Sequence, residues 1–243
     1  MSEQARKIAD NVFCFSVPVE DELFEGMWPL PHGASMNSYA VRGEATALID
    51  GVCGWDGAAD SLRAQLAAAG VRLADVRYLV MNHLEPDHSG WLADFLALRP
   101  DVTILTTRKG MALAQAFFGD IDVPGGLAGR LQAVGDGDSI DLGGGERLEF
   151  IEVPNVHWPE TMATFHPGSG TLFSCDAFGS FGSVPVGGLF DDELGSLASG
   201  MVLSAELLND ETLRYFSNII GPFSQQAIRA IDKLEALPVR CVA

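Results

Sequence analysis

Ten residues, Met81-Asn82-His83-Leu84-Glu85-Pro86-Asp87-His88-Ser89-Gly90, constrain this chain more than any other stretch. The apolar run Tyr78-Leu79-Val80 before them reads as the end of a buried strand. After them, Trp91, Leu92, Phe95 and Leu96 recur at helical spacing, so the helix is expected to open at Ser89-Gly90. The strand-to-helix turn between carries two imidazoles and two carboxylates within the six residues from His83 to His88. A metal site needs ligand side chains of short reach on rigid flanks, so that little freedom is lost on binding. Pro86 stiffens the turn and disfavours a helical conformation at Glu85, holding it extended.

Composition removes several alternatives. Fifteen Lys and Arg against 33 Asp and Glu give a formal charge of −18, with no basic patch, so nucleic-acid binding and anionic membranes are disfavoured. An apolar content of 47% over 243 residues suffices for a sizeable core, and a single domain spanning 1–243 is the simplest organisation. The polar start, Met1–Asp10, does not resemble a signal peptide, and no apolar run approaches a membrane span, so a cytoplasmic protein is expected. Cys14, Cys53, Cys175 and Cys241 are widely spaced, which argues against a disulfide framework, a zinc ribbon or an iron–sulfur cluster and for reduced core thiols.

The pattern along the chain predicts strands at 12–17, 36–41, 46–50 and 76–80, with a helix over 56–70 closed by Gly70. Phe24 and Trp28 are expected to pack locally within the acidic connection before Pro31. A strand at 102–106 and a helix at 109–118 follow, then strands at 131–134, 139–142, 147–153, 162–166 and 171–174. The Gly- and Ser-rich stretch 178–188 reads as a loop over the site, and 210–219 and 224–237 as helices before a last strand at 239–242. Strands, then strand–helix alternation, then strands, then helices fit an α+β fold of two face-to-face sheets with outer helices, a four-layer αββα sandwich. Two further strand ends, Val153-Pro154-Asn155-Val156-His157 and Phe173-Ser174-Cys175-Asp176, carry ligand-type residues that a sheet edge could present to the central turn. One site would then collect His83, Glu85, Asp87, His88, His157 and Asp176. Trp158, Phe178 and Phe181 are candidates for a dry wall around it, and His166, next to Pro167, reads as an exposed strand-end histidine.

The segments His-Leu-Glu-Pro-Asp-His-Ser-Gly, His-Trp-Pro-Glu-Thr-Met and Leu-Phe-Ser-Cys-Asp-Ala-Phe-Gly, in this order and spacing, resemble the iron-binding motifs of flavodiiron proteins. The diiron domain of that family is metallo-β-lactamase-like. Asn37-Ser38-Tyr39 and Tyr215-Phe216-Ser217-Asn218-Ile219 extend the resemblance over nearly the whole chain. It implies two iron ions: His83, Glu85 and His157 on one, Asp87 and His88 on the other, and Asp176 bridging. Hydrolytic members of the superfamily carry a histidine where this chain has Glu85, and a hard carboxylate there suits iron better than zinc. The resemblance therefore implies reduction of O2 or NO; a diiron protein that binds or senses oxygen without turnover and a zinc hydrolase are the alternatives.

Two departures accompany the resemblance. The family adds one more histidine to the second iron, in a Ser-His-Gly segment after the last strand, whereas this sequence stops at Cys241-Val242-Ala243 and has no histidine beyond His166. Either the chain is truncated there or the second site is incomplete. The family's flavodoxin domain is also absent, so no FMN is expected, and electrons would come from a separate donor such as a flavodoxin, a rubredoxin or a flavin reductase. Pairing into a homodimer is a further expectation from the family. His32, before the strand that carries Asn37, is a candidate proton donor behind the ligands, and Met36 stands where many relatives carry an aromatic.

Overall fold

A computed structural model describes residues 5–20, 23–24, 26–184 and 204–243. The first sheet has the order β1 (Arg6–Ala9), β2 (Val12–Val19), β5 (Ala34–Arg42), β6 (Thr46–Ile49), β7 (Val76–Val80), β8 (Thr103–Thr106) and β9 (Leu131–Ala133). A small ribbon of β3 (Leu23–Phe24) and β4 (Trp28–Pro29) pairs Phe24 with Trp28 along the backbone. From β1 to β6 the pairing is antiparallel, whereas β6 to β9 run parallel. Parallel neighbours need crossovers, and helices supply them: α1 (Ala58–Ala68), the single turn α2 (Pro86–Ser89) with α3 (Leu92–Leu98), and α4 (Arg108–Phe118). The second sheet runs β10 (Ser139–Gly143), β11 (Glu146–Glu152), β12 (Met162–His166), β13 (Thr171–Phe173) and β14 (Cys241–Val242), with α5 (Ala205–Tyr215) and α6 (Ser224–Leu234) preceding β14.

The core explains why these layers stack. Successive residues of a strand face opposite sides, so a strand buried on both faces feeds two different clusters. In the first sheet, Ala40, Leu48, Leu79 and Ile104 pack outward against Leu62 and Leu66 of α1 and Leu92, Phe95 and Leu96 of α3. Their neighbours Val41, Ile49, Val80 and Leu105 point inward and meet Leu148, Phe150, Met162 and Phe173 of the second sheet. Ile151, Ala163, Phe165 and Leu172 form its other face, covered by Tyr215, Ala227, Ala230 and Leu234. Three apolar seams separate four layers, the αββα arrangement that the element order predicted.

Several local expectations are corrected. The helical region after the motif begins at Pro86, not at Ser89, so Asp87 and His88 ride on a helical turn rather than a loop. Proline at the first helical position is already set for the helix and lacks only an N–H that would have no partner there. Glu85 before it is extended, φ −59° and ψ 147°, as expected. The helix placed at 210–219 starts at Ala205, because the Ser204 hydroxyl accepts from the Leu207 N–H, and it passes into a π-helical turn over Phe216–Ile220. Among the thiols, Cys14 and Cys53 are buried, but Cys175 and Cys241 are only half-buried. Of the loop predicted over 178–188, residues 185–188 lie outside the described residues. No helix among the described residues is long and apolar enough to cross a membrane.

Candidate metal centre

Two parallel strand ends of the first sheet and two loops of the second meet at one edge of the sandwich. Asp50 follows β6, Asn82 and His83 follow β7, His157 follows β11 and Asp176 follows β13. Asp50, Asn155 and Cys175 all have left-handed backbones, φ 53°, 61° and 53°, in the stretches that deliver these side chains. Such residues are kept where the surrounding structure over-determines them, typically at functional sites. Glycine permits the close approach of α2: a Cβ on Gly51 would lie 1.6 Å from the Trp91 indole nitrogen, and one on Gly90 would lie 2.6 Å from the Gly54 nitrogen. The Gly51 N–H in turn donates to the His88 carbonyl at 3.0 Å, pinning the turn that carries Asp87 and His88.

Four donor atoms converge. Glu85 Oε2 lies 3.1 Å from His83 Nε2 and 3.0 Å from His157 Nε2. Asp176 Oδ2 lies 3.4 Å from each of the same two nitrogens. Bonds of about 2.1 Å to one shared ion set neighbouring donors roughly 3.0 Å apart at octahedral angles and roughly 3.4 Å at tetrahedral ones. The second oxygen of Asp176 faces the other way, 3.1 Å from His88 Nε2, which stands 3.6 Å from Asp87 Oδ2. One carboxylate thus spans two donor sets. Despite their proximity, His157 Nε2 makes no hydrogen bond, and neither does the buried Asp87 Oδ1. Lone pairs aimed at a common point rather than at one another are what a bound cation would satisfy, and nitrogen with hard oxygen donors suits iron among other first-row metals. Six of the seven residues singled out in the sequence are gathered here. The seventh, His32, is not: its ring stands 4.0 Å from Glu211.

The charges match that picture. Burial opposes ionisation of Glu85, but the His157 and His83 rings beside it hold its carboxyl down at about 2. Burial also works against a charged His157, yet Asp176 and Glu85 raise it to about 10. His88 is pushed well up by Asp176 and Asp87 in spite of its burial. Asp87 rises to about 6 because it is desolvated. Without a metal, protons on imidazoles balance the carboxylates; a cation would displace them.

The fixed surroundings include residues that spacing alone does not reveal. Glu160 Oε1 pairs with His83 Nδ1 at 2.9 Å and accepts from the Leu84 N–H at 3.1 Å. Asp50 accepts from the Asn82 N–H and side-chain amide at 2.8 and 3.0 Å, and Asn82 Oδ1 accepts from the Thr164 hydroxyl at 2.7 Å. With His88 and Cys175, Asp50 forms a second group of donor atoms within 4.8 Å of one another. Trp158 stands edge-on to His83, ring centres 4.9 Å apart. On the open side a cavity of about 310 Å³ has Glu85, Asp87, His88 and Asp176 in its wall, together with Met36, Phe181 and Tyr215. Phe181 lies in the predicted dry wall, whereas Phe178 is 52% exposed. His166 is corrected outright: it is buried, 1% exposed, and bound to Glu146 and Ser169 far along the strand from this edge.

A family model described as the metallo-beta-lactamase superfamily matches residues 34–243. The chain belongs to that superfamily. Within it, the chain is 36% identical over 218 residues to a putative diflavin flavoprotein A 1 of Thermosynechococcus vestitus, covering 88% of this chain and 34% of that protein. It is 35% identical over 218 residues to an anaerobic nitric oxide reductase flavorubredoxin of Vibrio vulnificus, covering 89% of this chain and 40% of that protein. Rubredoxin oxygen:oxidoreductase of Desulfovibrio gigas superposes with a TM-score of 0.83 at 26% identity, covering 98% of this chain and 56% of that one. The chain spans a little over a third of the length of these curated relatives. Its similarity is thus to the superfamily domain of flavodiiron proteins.

Proposed function

We propose that 1–243 is one metallo-β-lactamase-like domain that holds two iron ions and reduces O2 or NO with electrons from a separate redox protein. His83, Glu85 and His157 would hold one iron, Asp87 and His88 the second, and Asp176 both. The observation that carries this reading is Glu85, whose carboxylate oxygen sits 3.1 and 3.0 Å from the two imidazole nitrogens. A zinc hydrolase of this superfamily would place a histidine there. The kinship to a nitric oxide reductase flavorubredoxin and to a rubredoxin oxygen:oxidoreductase supports the choice of reaction.

An iron pair would supply two one-electron donors beside each other, which is the chemistry that a diatomic oxidant needs. The chain supplies the rest. Asp176 fixes the distance between the two donor sets, because its two oxygens are committed to opposite sides. Glu160 and Asp50, each held by backbone N–H donors, keep His83 and Asn82 from turning. The cavity admits a small ligand past Phe181 and Tyr215, whose rings pack 5.1 Å apart and exclude bulk water from that wall.

The test is protein purified without oxygen, assayed for metal identity and for O2 and NO consumption with a reductant. About two irons per chain and catalytic consumption are expected. Zinc alone, with esterase or lactonase activity, would sink the proposal. A stable oxygen adduct without turnover would convert it to the sensing alternative.

A further inference from the structure

Glu160 is the least exposed carboxylate beside the donor cluster, 1% accessible, three residues beyond His157 and outside the set that converges on Asp176. Its Oε1 pairs with His83 Nδ1 at 2.9 Å and accepts the Leu84 N–H at 3.1 Å. Its backbone is fixed as well, since the Thr107 hydroxyl at the start of α4 donates to the Glu160 carbonyl at 3.0 Å. The other oxygen, Oε2, has no hydrogen-bond partner among the described residues. On this side a cavity of about 300 Å³ is bounded by Glu160, Glu152, Arg108 and Lys109, away from the cavity that opens onto Asp87 and His88.

This arrangement is more than an acceptor for two N–H groups requires. A glutamine oxygen would accept both bonds equally well, and a buried carboxylate oxygen left unpaired costs stability. What only glutamate adds is negative charge, placed on the ring nitrogen of His83 remote from the donor cluster. A carboxylate on that nitrogen fixes the tautomer and makes the opposite nitrogen a stronger ligand.

We propose that Glu160 is a positioning residue for His83: it fixes Nδ1 as the protonated nitrogen, presents the Nε2 lone pair to the metal, and by its charge favours the ferric state of the iron held there. This rests on the assignment of His83 as an iron ligand. Arg108 and Lys109 line the same cavity as Glu160 and Glu152.

Two measurements test it. On the zinc-loaded unmutated protein, histidine 15N–1H correlations should show His83 protonated at Nδ1 and bare at Nε2; the opposite tautomer overturns the proposal and requires no variant to fold. On the iron-loaded protein, Glu160→Gln should keep its iron and shift the potential to more positive values. A tenfold loss of ferric over ferrous preference corresponds to about 59 mV for one electron. Glu160→Ala should bind metal roughly 10–100-fold more weakly. Glu152→Gln, in the same cavity but not bonded to His83, should leave the potential unchanged. An unaltered potential in iron-loaded Glu160→Gln would overturn the electrostatic role. A chain with the expected tautomer on zinc that takes up no iron would refute the diiron reading while leaving the positioning of His83 standing.

Discussion

Two clusters of histidine and carboxylate lie at opposite ends of β11 and β12, and they are built differently. At the far end, His166 Nε2 lies 2.6 Å from Glu146 Oε2 and its Nδ1 lies 2.8 Å from the Ser169 hydroxyl. The remaining Glu146 oxygen accepts from the Asn11 amide at 2.9 Å, and Ser169 also bonds Thr171 at 2.7 Å. Each of these polar atoms is hydrogen-bonded, and the network ties the β1–β2 turn to the second sheet. At the Asp176 end, one carboxylate oxygen is shared among several nitrogens, and His157 Nε2 and Asp87 Oδ1 are left without hydrogen bonds. Both ends bury histidine beside acid. A histidine whose nitrogens are both satisfied by single partners holds the fold together; one whose nitrogen points into a shared space is free to bind.

That difference can be broken experimentally. The largest effect is expected from Asp176→Ala, which removes the carboxylate that faces both donor sets among the described residues. Metal content should fall from about two to one or none per chain, with affinity reduced at least about 100-fold, beyond the loss expected for an outer partner. The metal-free chain should keep its fold. Next comes His166→Ala, which leaves Glu146 Oε2 without its partner and Ser169 with Thr171 alone. It should cost roughly 1–3 kcal/mol of stability in denaturant unfolding and leave metal content unchanged. Equal losses of metal in both variants would erase the distinction between the two ends.

How much of this could be seen in the sequence follows from the same contrast. His83, Glu85, Asp87 and His88 were legible because their proximity is local, written into a strand–turn–helix of a few residues. His157 and Asp176 were legible because each follows an apolar run whose end must reach a sheet edge. Glu160 was not, because it is one of 33 acidic residues and its partner His83 lies 77 positions away. The far-end network was misread for a related reason: burial of His166 depends on Glu146, 20 residues earlier on the neighbouring strand, and proximity to Pro167 pointed to the surface instead. The layers were predictable from the order of strands and helices along the chain. Edge strand β1, with sequence Arg-Lys-Ile-Ala, is short and half polar, and it was missed.

The smallest expected effect concerns protons at the Asp176 end. In the metal-free chain Asp176 and Glu85 raise His157 to about 10, from an ordinary value of 6.5, although burial disfavours its charge. A group held above its unfolded value contributes stability fully below about pH 6.5 and loses it as pH rises toward 10. Glu85, lowered to about 2, makes the opposite contribution, present above its ordinary value of 4.5 and lost in acid. The metal-free protein should therefore melt progressively lower between pH 7 and pH 10, by a few degrees. With metal bound, His157 is already deprotonated and that slope should flatten. Uptake itself should release protons over the same range, and below about pH 6 a further proton must leave Asp87, so affinity should drop more steeply there. Calorimetry in buffers of different ionisation enthalpy counts those protons. An uptake that releases none would mean that the imidazoles at the Asp176 end, like His166, are already committed to partners of their own.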